Sequence, residues 1–288
     1  MTEEIKNKEY IFSFSNWEKA AESILDAYQH AQPYPHIALD NFLVPEALNK
    51  ALQEFPTVND TSWINYLHVN ERKHGLNKIE SFPSSIQAII QELNSARFVA
   101  FLSKLTGIEN LVADTELEGG GLHQSERGGF LNIHTDFTVH PHHKNWRRRV
   151  NLIVYLNKDW QDSYNGHLEL WSKDMKQCVQ KIAPLFNRCV IFNTDTGSYH
   201  GHPDKLACPP DMTRKSIALY YYTVEQNKIS IRSTNYKGRP GDGIKKLWIY
   251  MDKIALRLYT FIKSTFGLSD TFASTVLKFL SIRKRKEK

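Results

Sequence analysis

Cysteine is scarce in this chain. Cys178, Cys189 and Cys208 are the whole set, an odd number with no paired spacing. That excludes a disulfide framework and fits reduced thiols in a cytosolic-type compartment. The first residues, Met1-Thr2-Glu3-Glu4-Ile5-Lys6-Asn7-Lys8, are charged and lack an apolar h-region, so no secretory signal is expected. No run of about 18 apolar residues suggests a membrane span. No internal repeat is present, which sets aside solenoids and propellers. An overall basic field is also missing. The net charge is +6, yet 244–288 alone holds 11 Lys/Arg against 3 Asp/Glu, so the remainder of the chain is slightly acidic. The basic balance belongs to the C-terminal tail.

What is present reads as helices followed by short strands. Asn16 to His30 carries apolar residues at Trp17, Ala20, Ala21, Ile24, Leu25 and Tyr28, a helical spacing with Ser15 or Asn16 as cap. Pro33 and Pro35 end it. Pro35 to Leu43 looks like a strand, and Pro45 opens a second helix through Phe55. The polar stretch Asn59 to Lys78 reads as loop. Pro83 to Asn94, with a Ser84-Ser85 capping signal, and Ala96 to Thr106, stopping at Gly107, give two more helices. From Leu111 short β-type runs take over: Gly120–Gln124, Phe130–His134, Arg149–Leu156, Leu168–Trp171, Cys178–Ile182, Cys189–Asn193 and Arg214–Val224. Such spacing predicts a sandwich or barrel. Four regions follow: a helical part over 1–110, a β core over 111–225, a Gly/Pro-bearing linker over 226–243, and amphipathic helices with a basic tail over 244–288.

The chemistry concentrates around Gly128 to Phe137. His134 and Asp136 sit two apart in an extended chain, where side chains share a face, so both can hold one metal ion. A second imidazole far along the chain would complete the two-histidine, one-carboxylate set of non-haem Fe(II) sites. His200 and His202 follow the apolar strand Cys189 to Asn193. Arg214-x-Ser216 then puts a guanidinium and a hydroxyl on one strand face, suited to gripping a carboxylate.

Taken together, these blocks resemble the prolyl 4-hydroxylase-like branch of the 2-oxoglutarate/Fe(II)-dependent dioxygenases. The resemblance runs through Gly129-Phe130, His134-x-Asp136, Tyr155-Leu156-Asn157-Lys158-Asp159-Trp160, Gly166-His167-Leu168-Glu169-Leu170, Pro184-x-Phe186-Asn187-Arg188, His200-Gly201 and Arg214-x-Ser216. It implies a mainly β fold with flanking helices (α+β): a double-stranded β-helix, or jelly roll, with the N-terminal helices packed on its major sheet. It implies Fe(II) held by His134, Asp136 and His200, with 2-oxoglutarate and O2 as co-substrates. Arg214 would grip the distal carboxylate of 2-oxoglutarate, helped by Ser216 and Tyr155, with Asn151 lining the same pocket. The implied reaction hydroxylates an unactivated C–H while 2-oxoglutarate becomes succinate and CO2. Asp136 favours hydroxylation over halogenation, since halogenases of the family lack that carboxylate. Two departures stand out: Asn165-Gly166 replaces the usual Gly-Gly, and the segment from His200 to Arg214, with Cys208-Pro209-Pro210, is long.

His200 is preferred to His202 because the family places its ligand directly before this glycine. His123, His140 and His202 are carried as substrate-contact candidates. His140, His142 and His143 lack thiols at zinc-finger spacing, so they read as solvated loop or substrate contacts rather than a zinc site. The substrate stays open among a protein side chain, a small molecule and a glycan. The tail suits an anionic membrane surface and equally suits packing on the body or a second subunit, which makes the expected location cytoplasmic or peripheral at a membrane. Nucleic acid is not expected. A non-catalytic jelly-roll scaffold and a zinc- or manganese-dependent cupin-like enzyme are the rival classes. Neither makes use of the ligand set together with Arg214.

Overall fold

A computed structural model describes residues 11–60, 62–252 and 254. The chain forms two compact units, Met1–Gly241 and Asp242–Lys288. In the first, four α-helices precede most of the sheet: α1 (Phe14–Gln29), α2 (Pro45–Gln53), α3 (Ser84–Leu93) and α4 (Ala96–Thr106). Local chemistry accounts for the ends of α4. The Ser95 side chain accepts from the Phe98 N–H, and Gly107 closes the helix in the left-handed region at φ 69°. The capping expected of Ser84-Ser85 does not form. Pro83 occupies the cap position of α3, and the Ser85 hydroxyl goes to Glu54 instead.

The strands are β1 (His36–Leu39), β2 (Ile64–His68), β3 (Glu71–Leu76), β4 (Leu111–Ala113), β5 (Gly121–Ser125), β6 (Phe130–Thr135), β7 (Trp146–Tyr155), β8 (Leu168–Trp171), β9 (Cys178–Ile182), β10 (Cys189–Asn193), β11 (Tyr199–His202), β12 (Arg214–Val224) and β13 (Asn235–Tyr236). They pair antiparallel in the order β1-β10-β7-β12-β5-β3-β6-β11-β8-β9, with β4 on β12, β2 on β3 and β13 on β6. This is a jelly-roll-like, nearly closed barrel with flanking helices, as the resemblance implied. Alternation explains the layers. Val150, Leu152 and Val154 of β7 and Ile217, Leu219 and Tyr221 of β12 share one core with the apolar stripes of α3 and α4, including Ile86, Ile89, Phe98 and Leu102. The opposite face of both strands turns into the barrel, where Tyr155 packs with Leu168, Leu170, Val190 and Phe192.

Three stretches differ from the sequence expectation. Asn59 to Lys78, read as loop, contains the β2–β3 hairpin. Ile64, Leu67 and Val69 in it are exposed, so no apolar alternation advertised a strand. The segment around His200 forms β11. Residues 226–243, read as linker, contain β13, whose Tyr236 pairs with His134. In the second unit, residues 245–252 and 254 are helical. The second amphipathic helix expected from Ser269 or Asp270, and the basic cluster 283–288, lie outside the described residues.

Candidate active site

β6 and β11 are neighbours, and their register sets His200 opposite His134. Their ring centroids stand 4.5 Å apart. Each imidazole is held the same way: Nδ1 of His134 meets the Asn132 carbonyl at 2.9 Å, and Nδ1 of His200 meets the Ser198 carbonyl at 2.9 Å. Both contacts reach back two residues and turn Nε2 inward. Asp136, just past the end of β6, lies with Oδ1 3.5 Å from His134 Nε2 and Oδ2 3.5 Å from His200 Nε2. One donor atom from each of the three fits within 4.8 Å of the others. Two imidazole nitrogens and one carboxylate oxygen on one side of a cavity match the donor chemistry of a non-haem Fe(II) site.

Burial governs the electrostatics. It pushes the His200 imidazole down to about 4, partly opposed by Asp136, so the ring stays neutral and able to donate. Burial alone would raise the Asp136 carboxyl. Arg148, then His200 and His134, reverse that and hold it well below the ordinary carboxylate range. Arg148 is buried at 3% exposure, with Nη2 3.3 Å from Asp136 Oδ2. Its Nε donates to Asn151 Oδ1 at 2.9 Å, and Asn151 Nδ2 donates to Asp136 Oδ2 at 2.8 Å.

Around the triad is a cavity of about 190 Å³, lined also by Tyr155, Arg214, Ser216, His123 and His202. Arg214, at the start of β12, donates from Nε to the Gly166 carbonyl at 2.8 Å and from Nη2 to the Tyr155 hydroxyl at 3.3 Å. It is 7% exposed, and among the described residues it forms no ion pair with a carboxylate. A buried guanidinium without a counter-charge is costly unless an anion arrives. Lys73 lines the same cavity. Both cations, after burial itself, push His123 and His202 well below the ordinary imidazole range, so this end is positive without them. Asn165-Gly166 makes the contact at Gly166 possible. Both residues have positive φ, 61° and 78°, and a Cβ on Gly166 would lie 2.6 Å from Leu206 Cδ2 and 3.0 Å from Arg214 Cδ. Asn165, at φ 61° and ψ −152°, holds a conformation nearly restricted to glycine, so the first position of the pair carries backbone strain.

Most of the residues singled out in the sequence therefore meet in one cavity: His134, Asp136, His200, Tyr155, Arg214, Ser216, Asn151, His123 and His202. Two differ in role. Asn151 lines the cavity, but both ends of its amide are used by Asp136 and Arg148. His140, carried as a substrate contact, is fully buried elsewhere. Its Nε2 lies 3.4 Å from Asp114 Oδ1 and its Nδ1 accepts from the His142 N–H. His142 and His143 pair with Glu116. Sequence reasoning missed Arg148, and with it the cavity contributions of Tyr66, Glu71, Lys73 and Tyr236 from elements that had read as loop and linker.

Comparison with known proteins agrees with this geometry. Residues 120–222 match the 2OG-Fe(II) oxygenase superfamily. A curated relative, mouse (Mus musculus) prolyl 3-hydroxylase OGFOD1, is 25% identical over 196 residues, which cover 66% of this chain and 33% of the relative. The chain thus matches about a third of that protein's length. Among solved structures, a Trichoplax adhaerens prolyl hydroxylase in complex with a hypoxia inducible factor peptide fragment superposes with a TM-score of 0.55 at 18% identity, covering 75% of this chain and 94% of that one. A Pseudomonas putida prolyl-4-hydroxylase gives 0.52 at 14% identity, covering 71% and 99%. At these identities the structural likeness speaks for the fold.

Proposed function

We propose that this chain is a 2-oxoglutarate- and Fe(II)-dependent oxygenase, with residues 120–222 carrying the family match, and that it hydroxylates a prolyl side chain of a protein substrate, using His134, Asp136 and His200 as metal ligands and Arg214 as the anchor for 2-oxoglutarate. The observation that carries the site assignment is Arg214, a buried guanidinium in the cavity that holds the triad, without a carboxylate partner among the described residues. A dicarboxylate supplies that counter-charge at one end and leaves its other end for the metal. Bound Fe(II) and 2-oxoglutarate supply the oxidising chemistry, with succinate and CO2 as co-products. The chain's own residues bind and orient. Tyr155 and Gly166 hold Arg214 in place. The backbone carbonyls of Asn132 and Ser198 fix the two imidazoles. The rings of Tyr66, Phe137, Tyr220 and Tyr236 give the cavity apolar walls against which a pyrrolidine ring can pack. The prolyl substrate class also draws support from the names of the relatives above.

Anaerobic titration of the purified protein with Fe(II) and then 2-oxoglutarate tests the site. We expect a weak visible charge-transfer band, absent in His134→Ala and Asp136→Ala and requiring more 2-oxoglutarate in Arg214→Ala. A folded wild-type protein without the band would refute the assignment. Succinate release with proline-containing peptides, coupled to a one-oxygen mass gain on proline, tests the substrate. A mass gain confined to another residue type would replace prolyl with that residue.

A further inference from the structure

We infer that Arg148 and Asn151 are positioning residues for the Asp136 carboxylate: they hold its Oδ2, present Oδ1 to the metal, and so set how tightly the centre binds it. This rests on the ligand assignment above. Both side chains are themselves locked. The Arg148 guanidinium lies 3.4 Å from the Tyr220 ring centroid and 4.7 Å from that of Phe137. Tyr220 is tied by its hydroxyl to the Gly119 carbonyl at 2.8 Å. Arg148 Nε then fixes Asn151 Oδ1, which leaves Asn151 Nδ2 directed at Asp136 Oδ2. The result is a relay of two hydrogen bonds, from a stacked cation through an amide to one oxygen of the carboxylate.

The division of labour follows from the distances. Asn151 makes the 2.8 Å hydrogen bond, so it decides which way the carboxylate faces. An Asp χ2 torsion is otherwise broad and roughly two-fold, and either oxygen could turn to the metal. Arg148 Nη2 stands 3.3 Å from Oδ2 and makes no hydrogen bond there, so its direct effect on Asp136 is that of a nearby charge. Asn151 thus spends its amide oxygen on Arg148 and one of its two N–H groups on Asp136. Outer partners of metal ligands commonly govern affinity by ~10–100-fold.

The test uses Co(II), which reports its coordination in the visible spectrum without turnover. Asn151→Ala should weaken Co(II) binding by ~10–100-fold and change the Co(II) spectrum. The affinity of metal-saturated protein for 2-oxoglutarate should stay close to wild type. Arg148→Lys keeps the charge but loses the planar Nε donor to Asn151, and should show a smaller loss with the same spectral change. Leu152→Ala, on the opposite face of the same strand, should lower thermal stability without moving either readout. Folded Asn151→Ala with unchanged Co(II) affinity and spectrum would overturn the inference. Should Asn151→Ala fail to fold, an unchanged spectrum in Arg148→Lys overturns it equally. A wild-type protein that takes up no Co(II), or takes it up equally well as Asp136→Ala, would instead sink the ligand assignment.

Discussion

At the residue scale the cavity is a place where charge is kept waiting. Arg214 is buried and has no carboxylate among the described residues, so binding 2-oxoglutarate should offset the cost of burying its charge. Removing one partner of a buried charge pair commonly costs at least ~2 kcal/mol. Arg214→Ala should therefore raise the 2-oxoglutarate concentration needed for half-saturation by about 30-fold or more, measured by the charge-transfer band. Without 2-oxoglutarate the balance reverses, and Arg214→Met should melt no lower than wild type, because an unpaired buried charge has gone. His200 gives a pH prediction. Its pKa is about 4 in the folded chain against 6.5 ordinarily. As pH falls from 6.5 toward 4 the unfolded chain takes a proton that the folded chain refuses, so stability declines across that window. The urea midpoint of the metal-free protein should fall between pH 7 and pH 5, and less so in His200→Asn. The triad was legible because ligand types at strand spacing need little context. Asn151 lines the cavity expected of it, but its bonds to Asp136 and Arg148 were not readable, because i, i+4 on a strand fixes a face and says nothing of which partner waits there. His140 was misread because Asp114, which buries it, is 26 residues away in sequence.

At the element scale, two irregularities in the ladder shape the site. The β7–β12 register shifts where Tyr221 pairs with Val150 and Tyr222 with Arg148, leaving Arg149 unmatched. Strict alternation from Asn151 would have turned Arg149 inward. The bulge turns Arg148 inward instead. The second irregularity lies in β11, between His200 and His202, around Gly201. A Cβ on Gly201 would stand 2.8 Å from the carbonyl oxygens of both Leu131 and Asn132 on β6. Only glycine lets β11 approach closely enough for His200 to face His134. Gly201→Ala should cost ~1–3 kcal/mol, seen as a lower melting temperature, and should weaken metal binding as the strands part. A variant that melts like wild type with unchanged Co(II) affinity would refute the close-approach argument. The β2–β3 hairpin escaped notice for a different reason: its pairing is set by β5 and β6, through His74 with Gln124 and Glu71 with Leu131, and not by its own apolar pattern.

At the scale of the whole molecule, the helical layer and the barrel share one core, with α3 and α4 covering the sheet face opposite the cavity. All the residues named here as lining the cavity belong to the unit Met1–Gly241. A chain ending at Gly241 should therefore keep the Fe(II)–2-oxoglutarate band. If the basic tail of the sequence serves a membrane surface, as we propose, the same truncation should abolish co-sedimentation with vesicles containing phosphatidylserine; equal sedimentation of both forms would dismiss that role. Barrel and helices were legible because periodicity records burial, while the origin of each cavity wall was not, since hairpin and β13 are recruited by pairing. One detail of the barrel reaches further. The two ligand imidazoles are each fixed by a carbonyl two residues back along the chain, so the protein itself sets their orientation. Such a nest gives little basis for refusing the wrong guest. Copper and zinc outrank ferrous iron for such donors, so the identity of the occupant is decided by the supply of ions where the chain folds, and inactivation by mis-metallation is the standing hazard of this architecture.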